Sequence, residues 1–132
     1  MSEVALPGDL AYTKTHEWVR VEGNVATVGI TDHAQSQLTD IVFVDLPAVG
    51  KETKAGTSAL VLESVKTVTD IYAPGNGTVS EVNSELKSHP EWINQDPYGK
   101  GWLFKVRLTE PIPAGVLLKA GAYRALIESG TH

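Results

Sequence analysis

Leu60-Val61-Leu62-Glu63-Ser64-Val65-Lys66-Thr67-Val68-Thr69-Asp70-Ile71-Tyr72-Ala73-Pro74-Gly75-Asn76-Gly77 is the stretch that decides the fold. Two β-forming runs meet at Glu63–Thr67, a link without Gly, Pro or Asn. Tight strand connections usually use residues that tolerate positive φ or preset a bend. A type I turn accepts most residues, so a hairpin is feasible here. Turn propensity nevertheless gives no reason to put Val65 and Lys66 at its apex. The bland reading of Lys66 is a lysine on an exposed turn. Its poor turn-forming neighbour and the acids on either side, Glu63 and Asp70, point instead to a reader outside the fold, such as a modifying enzyme.

Working outward, the pattern is one of short strands. "WVRVEGNVATVGI" alternates on both sides of Glu22-Gly23-Asn24 and predicts a hairpin. "DIVFVDLP" is dense in β-branched and aromatic residues and is closed by Pro47. "TVSEVNSEL" and "GWLFKVRL" add further strands, and "AVGKETKAG" reads as a loop between Gly50 and Gly56. "TDHAQSQL" predicts a short helix that Thr31 or Asp32 can cap, with Gln35 placed as in a capping box after Asp32. "SHPEWINQ" reads as a helical turn, and Asp96-Pro97-Tyr98-Gly99 has the type I turn pattern. Tyr123, Leu126 and Ile127 give a C-terminal helix one apolar face. Residues 1–11 read as a loose arm and residues 111–132 as a helical tail. The expectation is one mainly β domain over residues 1–132, an antiparallel sandwich or flattened barrel with short helices.

Composition narrows the chemistry. The chain has 132 residues, 42% of them hydrophobic, enough for a core without staples. It has no cysteine, which excludes a disulfide framework, a thiolate metal site and a Cys nucleophile. Any thiol chemistry must arrive on a cofactor. A net charge of −5 disfavours nucleic acid and anionic membranes as partners. No apolar run is long enough to span a bilayer, and the N-terminus lacks a secretory pattern, so a cytoplasmic bacterial protein is expected. His16, His33, His89 and His132 form no paired metal motif. Gly-x-Ser-x-Gly is absent around Ser64, and "GKETKAGTS" lacks the phosphate-loop spacing. No catalytic constellation is visible, so an enzyme acting alone is disfavoured.

Glu63-Ser64-Val65-Lys66 with "TVTDIYAPGNGTVSEVN" resembles the lipoylation segment of the glycine cleavage system H protein family. "YTKTHEWV", "GITDHAQSQL", "IVFVDLPAVG" and "INQDPYGKGWLFKV" resemble the same family in order, over Tyr12 to Leu108. Biotinyl domains would show Met-Lys-Met at the apex, and other lipoyl domains Asp-Lys-Ala. Thr39 stands where the family usually has Gly, which strains the backbone if that position needs positive φ. Lys119 and Gly121 stand where the family tends to be polar or acidic, leaving the last helix weakly capped.

The resemblance implies a barrel-sandwich hybrid of the lipoyl- and biotinyl-carrier kind. It implies a carrier rather than an enzyme, with (R)-lipoate joined by an amide to Lys66. The implied partners are glycine decarboxylase, an aminomethyltransferase, dihydrolipoyl dehydrogenase and a lipoyl-attachment enzyme. The aminomethyl group of glycine would pass from the first to the second, and the third would reoxidise the arm. A chain that visits several partners is expected to be a monomer. Glu17, His33 and Asp70 match family positions near the arm, and Glu63 one suited to recognition by the attachment enzyme. Their bland reading is ordinary surface acids and a helix-serving histidine. The competing functions are a lipoyl carrier for another complex and an unmodified binding module on the same fold.

Overall fold

A computed structural model describes residues 5–129. Nine strands run in the order β1 (Ala11–Tyr12), β2 (Glu17–Glu22), β3 (Val25–Ile30), β4 (Ile41–Asp45), β5 (Glu52–Thr53), β6 (Ser58–Ser64), β7 (Val68–Tyr72), β8 (Gly77–Val82) and β9 (Phe104–Leu108). They form a six-stranded sheet, β1-β2-β3-β9-β8-β5, and a three-stranded sheet, β4-β6-β7. Every pairing is antiparallel. The helices are α1 (Asp32–Leu38), α2 (Trp92–Gln95) and α3 (Ala120–Glu128). The mainly β, two-sheet architecture is the one expected.

Both sheets supply the main core. Val28 and Ile30 of β3, Phe104 and Val106 of β9, Val44 of β4 and Leu62 of β6 are all buried in one cluster. Alternation explains the selection, since successive strand residues face opposite sides. Trp18 and Gly29 lie opposite each other on β2 and β3. A Cβ on Gly29 would come within 2.4 Å of the Trp18 indole nitrogen, so glycine there makes room for the ring. A second cluster joins Leu10, Tyr12 and Trp18 to Tyr123 of α3. The Tyr12 and Tyr123 rings stack with centroids 5.0 Å apart.

Several local expectations change. The stretch read as a loose arm is held from Ala5 onward; residues 1–4 lie outside the described residues. Leu10 is buried, Ala5 N–H donates to Asp32 Oδ2 at 2.9 Å, and the Tyr98 hydroxyl donates to Ala5 O at 2.6 Å. Ala11–Tyr12 pairs with β2, and Tyr12 exchanges backbone hydrogen bonds with Leu118. Short apolar arms order when a tertiary partner covers them, and no local pattern signals it. Within the expected 50–56 loop, Glu52–Thr53 pairs with β8. The N-cap of α1 is Thr31, whose Oγ1 accepts from Ala34 N–H at 3.1 Å. Gln35 Nε2 does reach Asp32 Oδ1, at 2.7 Å. The helical tail begins only at Ala120, where Lys119 offers no side-chain cap, as the sequence led us to expect. His132 lies outside the described residues.

Candidate functional site

The opening puzzle is answered by Ser64. Its Oγ accepts from the backbone N–H of Lys66 at 3.1 Å and of Thr67 at 3.0 Å, while Ser64 N–H donates to Thr67 O at 2.8 Å. A serine hydroxyl therefore closes the β6–β7 turn in place of glycine or proline. Val65 and Lys66 then need no turn propensity of their own. Both are exposed, Val65 at 68%. The tip is also tethered from outside, because Val65 N–H donates to Asp40 O at 3.0 Å. Lys66 Nζ leans on Gln37 O at 3.4 Å, a long contact at the end of α1.

A cleft leads inward from this point. Gln37, Leu38, Thr69, Asp70, Ile71 and His33 line it together with Thr15 and His16, around a volume of about 160 Å³. Thr15 also lines a neighbouring hollow of about 550 Å³ that contains Glu17, Tyr72 and Val116. The four candidate residues beyond Lys66 thus divide by location. His33 and Asp70 line the cleft, Glu17 lines the neighbouring hollow that shares Thr15 with it, and Glu63 lines neither. Glu63 instead sits across from Phe43 on β4 and Val68 on β7, on the outer face of the small sheet.

Glu17 is no ordinary surface acid. It is 1% exposed, and its Oε1 accepts from Thr13 and Thr15 hydroxyls, each at 2.5 Å. Its Oε2 accepts from Tyr72 N–H at 3.3 Å. Burial pushes its pKa above the usual carboxylate value, against the lowering effect of these donors. Asp70 is exposed and accepts from Ser58 Oγ at 2.8 Å. His33 is buried in the first turn of α1, its ring 5.0 Å from that of His16.

Sequence reasoning missed five residues that hold this geometry. Thr13 and Thr15 precede Glu17 at alternate positions, a spacing that could have flagged a hydroxyl cradle. His16 has φ 72, and its Nδ1 lies 2.7 Å from the Tyr123 hydroxyl. That hydroxyl is also 2.8 Å from Thr31 Oγ1, so α3 braces both the loop before β2 and the cap of α1. Asn94 Nδ2 donates to Thr39 O at 2.7 Å and its Oδ1 accepts from Ile41 N–H at 2.9 Å. Tyr123 and Asn94 act across long sequence separations, so no local pattern could reveal them.

The family model described as Glycine cleavage H-protein matches residues 10–130. The chain belongs to that family. It is 55% identical over 125 residues to the glycine cleavage system H protein of Symbiobacterium thermophilum, covering 95% of this chain and 98% of that one. It is 51% identical over 133 residues to the H protein of Xanthomonas campestris pv. campestris strain B100, covering both chains fully. The solved glycine cleavage system H protein of Mycobacterium marinum superposes with a TM-score of 0.84 at 42% identity, over 95% of this chain and 99% of that one. Membership supports a carrier role in the glycine cleavage system, and the family is a lipoyl-carrying one. No helix among the described residues is long and apolar enough to cross a membrane.

Proposed function

We propose that this chain is the lipoyl carrier of the glycine cleavage system, with lipoate in amide linkage to Lys66 Nζ. The observation that carries the reading is an exposed lysine on a serine-closed hairpin tip, with a cleft near it and an adjacent hollow that holds a buried carboxylate. The residues fit the group. Lys66 is exposed and its amine makes one long contact to a carbonyl, so acylation by an activated lipoyl donor breaks no packed interaction. In that step the carbonyl–nitrogen bond forms, the donor's leaving group departs, and the amine gives up its proton. When bound, the lipoyl group would supply a dithiolane able to carry the aminomethyl group of glycine between glycine decarboxylase and the aminomethyltransferase, with dihydrolipoyl dehydrogenase as the enzyme that would reoxidise it.

The protein's own residues bind and shield. Thr13, Thr15 and the Tyr72 N–H hold the Glu17 carboxyl in one orientation in the wall of the larger hollow. Burial raises its pKa, and a cationic amine arriving there would act the other way by favouring the ionised form. Asp70 adds a second, exposed acid in the cleft's lining, and His33 forms part of its wall. Glu63, beside the tip on the outer face, suits recognition by the lipoyl-attachment enzyme. The chain carries and shelters a group and leaves the chemistry to its partners.

Intact mass and peptide mapping test the reading. Protein from cells fed lipoate gains one lipoyl increment, confined to the peptide with Lys66, and Lys66→Arg abolishes both the increment and glycine decarboxylation with the partner enzymes. A wild-type chain that stays unmodified, or a Lys66→Arg chain that still supports glycine breakdown, overturns it. Support of another acyl-transfer complex in place of glycine decarboxylase would move the chain to a different carrier role.

A further inference from the structure

The loop between β1 and β2 folds the Glu17 carboxyl back onto its own hairpin. His16 N–H donates to Thr13 O at 3.1 Å, and Thr13 N–H donates to Glu17 O at 2.9 Å. With Tyr12 opposite Trp18, residues 14–16 form a three-residue hairpin loop whose last member, His16, has φ 72. Loops of this length place a left-handed residue just before the returning strand. Inside the loop the Thr13 hydroxyl makes two bonds to one residue. It accepts from Glu17 N–H at 3.0 Å and donates to Glu17 Oε1 at 2.5 Å. Thr15 Oγ1 donates to the same oxygen, also at 2.5 Å. The two threonines differ in burial: Thr13 is 6% exposed, whereas Thr15 is an exposed residue. A hydroxyl has one proton to give. With both protons spent on Oε1, Oε2 receives only the Tyr72 N–H, at 3.3 Å. The ionised carboxyl is therefore asymmetric, with one oxygen saturated and acceptor capacity left on the other. It lines the hollow of about 550 Å³, where Lys14 is the only other charged lining residue.

We propose that Thr13 is the positioning residue that presents Glu17 Oε2, and not Oε1, to a cationic amine in this hollow. The inference deepens the carrier reading above and rests on it for the amine. Two features set Thr13 apart from Thr15. The Glu17 N–H fixes the oxygen of the Thr13 hydroxyl, and so fixes where that hydroxyl delivers its proton. Thr13 is also buried, so water does not take over its donation once the hydroxyl is removed. Thr15 is reached by solvent, which can replace it. An amine that arrives at Oε2 forms a charge-assisted hydrogen bond without displacing a protein donor. At Oε1 it would have to displace one of the threonine hydroxyls.

The test follows the Glu17 carboxyl carbon by NMR through a pH titration of the unmodified protein, with Glu17→Gln identifying the signal. Thr13→Val keeps the shape of the side chain and removes the hydroxyl, whereas Thr13→Ser keeps the hydroxyl and removes the methyl group. Loss of a buried donor to the charged form raises the midpoint, by about one pH unit or more in Thr13→Val. Thr13→Ser stays near the wild type, and Thr15→Val moves the midpoint less than Thr13→Val does. In aminomethyl-loaded protein, Thr13→Val releases ammonia about tenfold faster, the factor that one such unit represents, and Thr13→Ser does not. A folded Thr13→Val with the wild-type midpoint or the wild-type ammonia release overturns the inference. So does Thr13→Ser shifting as far as Thr13→Val, which would mark a packing role, or Thr15→Val shifting further. If Thr13→Val does not fold, the Thr13 hydroxyl proton of the wild type decides. Its resonance should be protected from exchange with water and move with the Glu17 titration, and a freely exchanging hydroxyl overturns the inference. A wild-type chain that never takes up lipoate fails the carrier reading instead and leaves the titration readable.

Discussion

Replacing Thr39 with glycine should stabilise this protein. Thr39 follows α1 with φ 62 and ψ −150, a backbone region that favours glycine strongly. A β-branched residue held there stores about 1–3 kcal/mol of strain. Glycine releases that strain but frees the unfolded chain, which costs about 0.5–1 kcal/mol. It also removes the hydroxyl that donates to Leu38 O at 2.5 Å, an exposed bond worth roughly 0.5 kcal/mol. Thr39 is exposed, so no cavity opens. At the middle of these ranges the balance is a gain of about 0.75 kcal/mol. At about 2.1 cal/mol/K of unfolding entropy per residue, this raises the Tm by roughly 3 °C. Thr39→Val provides the contrast, since it loses the hydroxyl and keeps the strain, and its Tm should fall. Calorimetry on all three proteins decides. A Thr39→Gly variant that melts at or below the wild type, with Thr39→Val unchanged, would refute the strain argument.

Other outcomes follow from the buried polar groups and the close packing. Burial raises the Glu17 pKa above its ordinary 4.5, so folding favours the neutral carboxyl. That contribution to stability is full below the unfolded value and is lost as pH rises through the raised folded value. The Tm of Glu17→Gln relative to wild type should therefore climb as pH rises above about 4.5; parallel curves would remove the effect. Tyr123→Phe deletes the hydroxyl shared by His16 and Thr31 and should cost about 1–2 kcal/mol in denaturant unfolding, with the stacked ring on Tyr12 retained. Gly29→Ala drives a Cβ into Trp18 and should cost about 1–3 kcal/mol, read from the same titration and from a shift in indole fluorescence.

The parts of this protein legible in its sequence are those fixed over a few residues. Alternation placed β2 and β3, the density of β-branched and aromatic residues placed β4, β-forming runs placed β6, β7, β8 and β9, and the exposed tip followed from Val65-Lys66 between two such runs. The Asp96–Gly99 turn formed as written, with Gly99 N–H donating to Asp96 O at 3.1 Å. Ser64 was legible in principle, because a serine can close a turn through its own side chain, but the search for glycine and proline passed over it. The hold on Ala5 to Tyr12 was not legible, because it depends on Tyr98, Asp32 and Leu118, which lie far along the chain. The brace of Tyr123 on His16 and Thr31 spans 107 and 92 residues. Periodicity has no access to pairings of that range. The burial of Glu17 escaped for a related reason, since an acid with two hydroxyl donors resembles a surface acid until the far strand closes over it.

Strain at Thr39 and order at Lys66 meet in one short path. Thr39 precedes Asp40, whose carbonyl accepts the Val65 N–H at 3.0 Å, and Val65 precedes Lys66. Asn94 grips both sides of this segment, through Thr39 O and Ile41 N–H, and so over-determines a conformation that threonine alone would leave. Backbone freedom at position 39 then acts in two directions. It relieves strain and raises global stability, and it loosens the anchor beneath the hairpin tip. A residue that resists relaxation holds Asp40 O where the tip requires it, so stability is lower than it could be and the tip is better defined than an isolated hairpin would be. Amide exchange at Val65 separates the two effects: in Thr39→Gly it should quicken even as the Tm rises, whereas a purely destabilising role for Thr39 would slow exchange at Val65 along with the rest of the sheet.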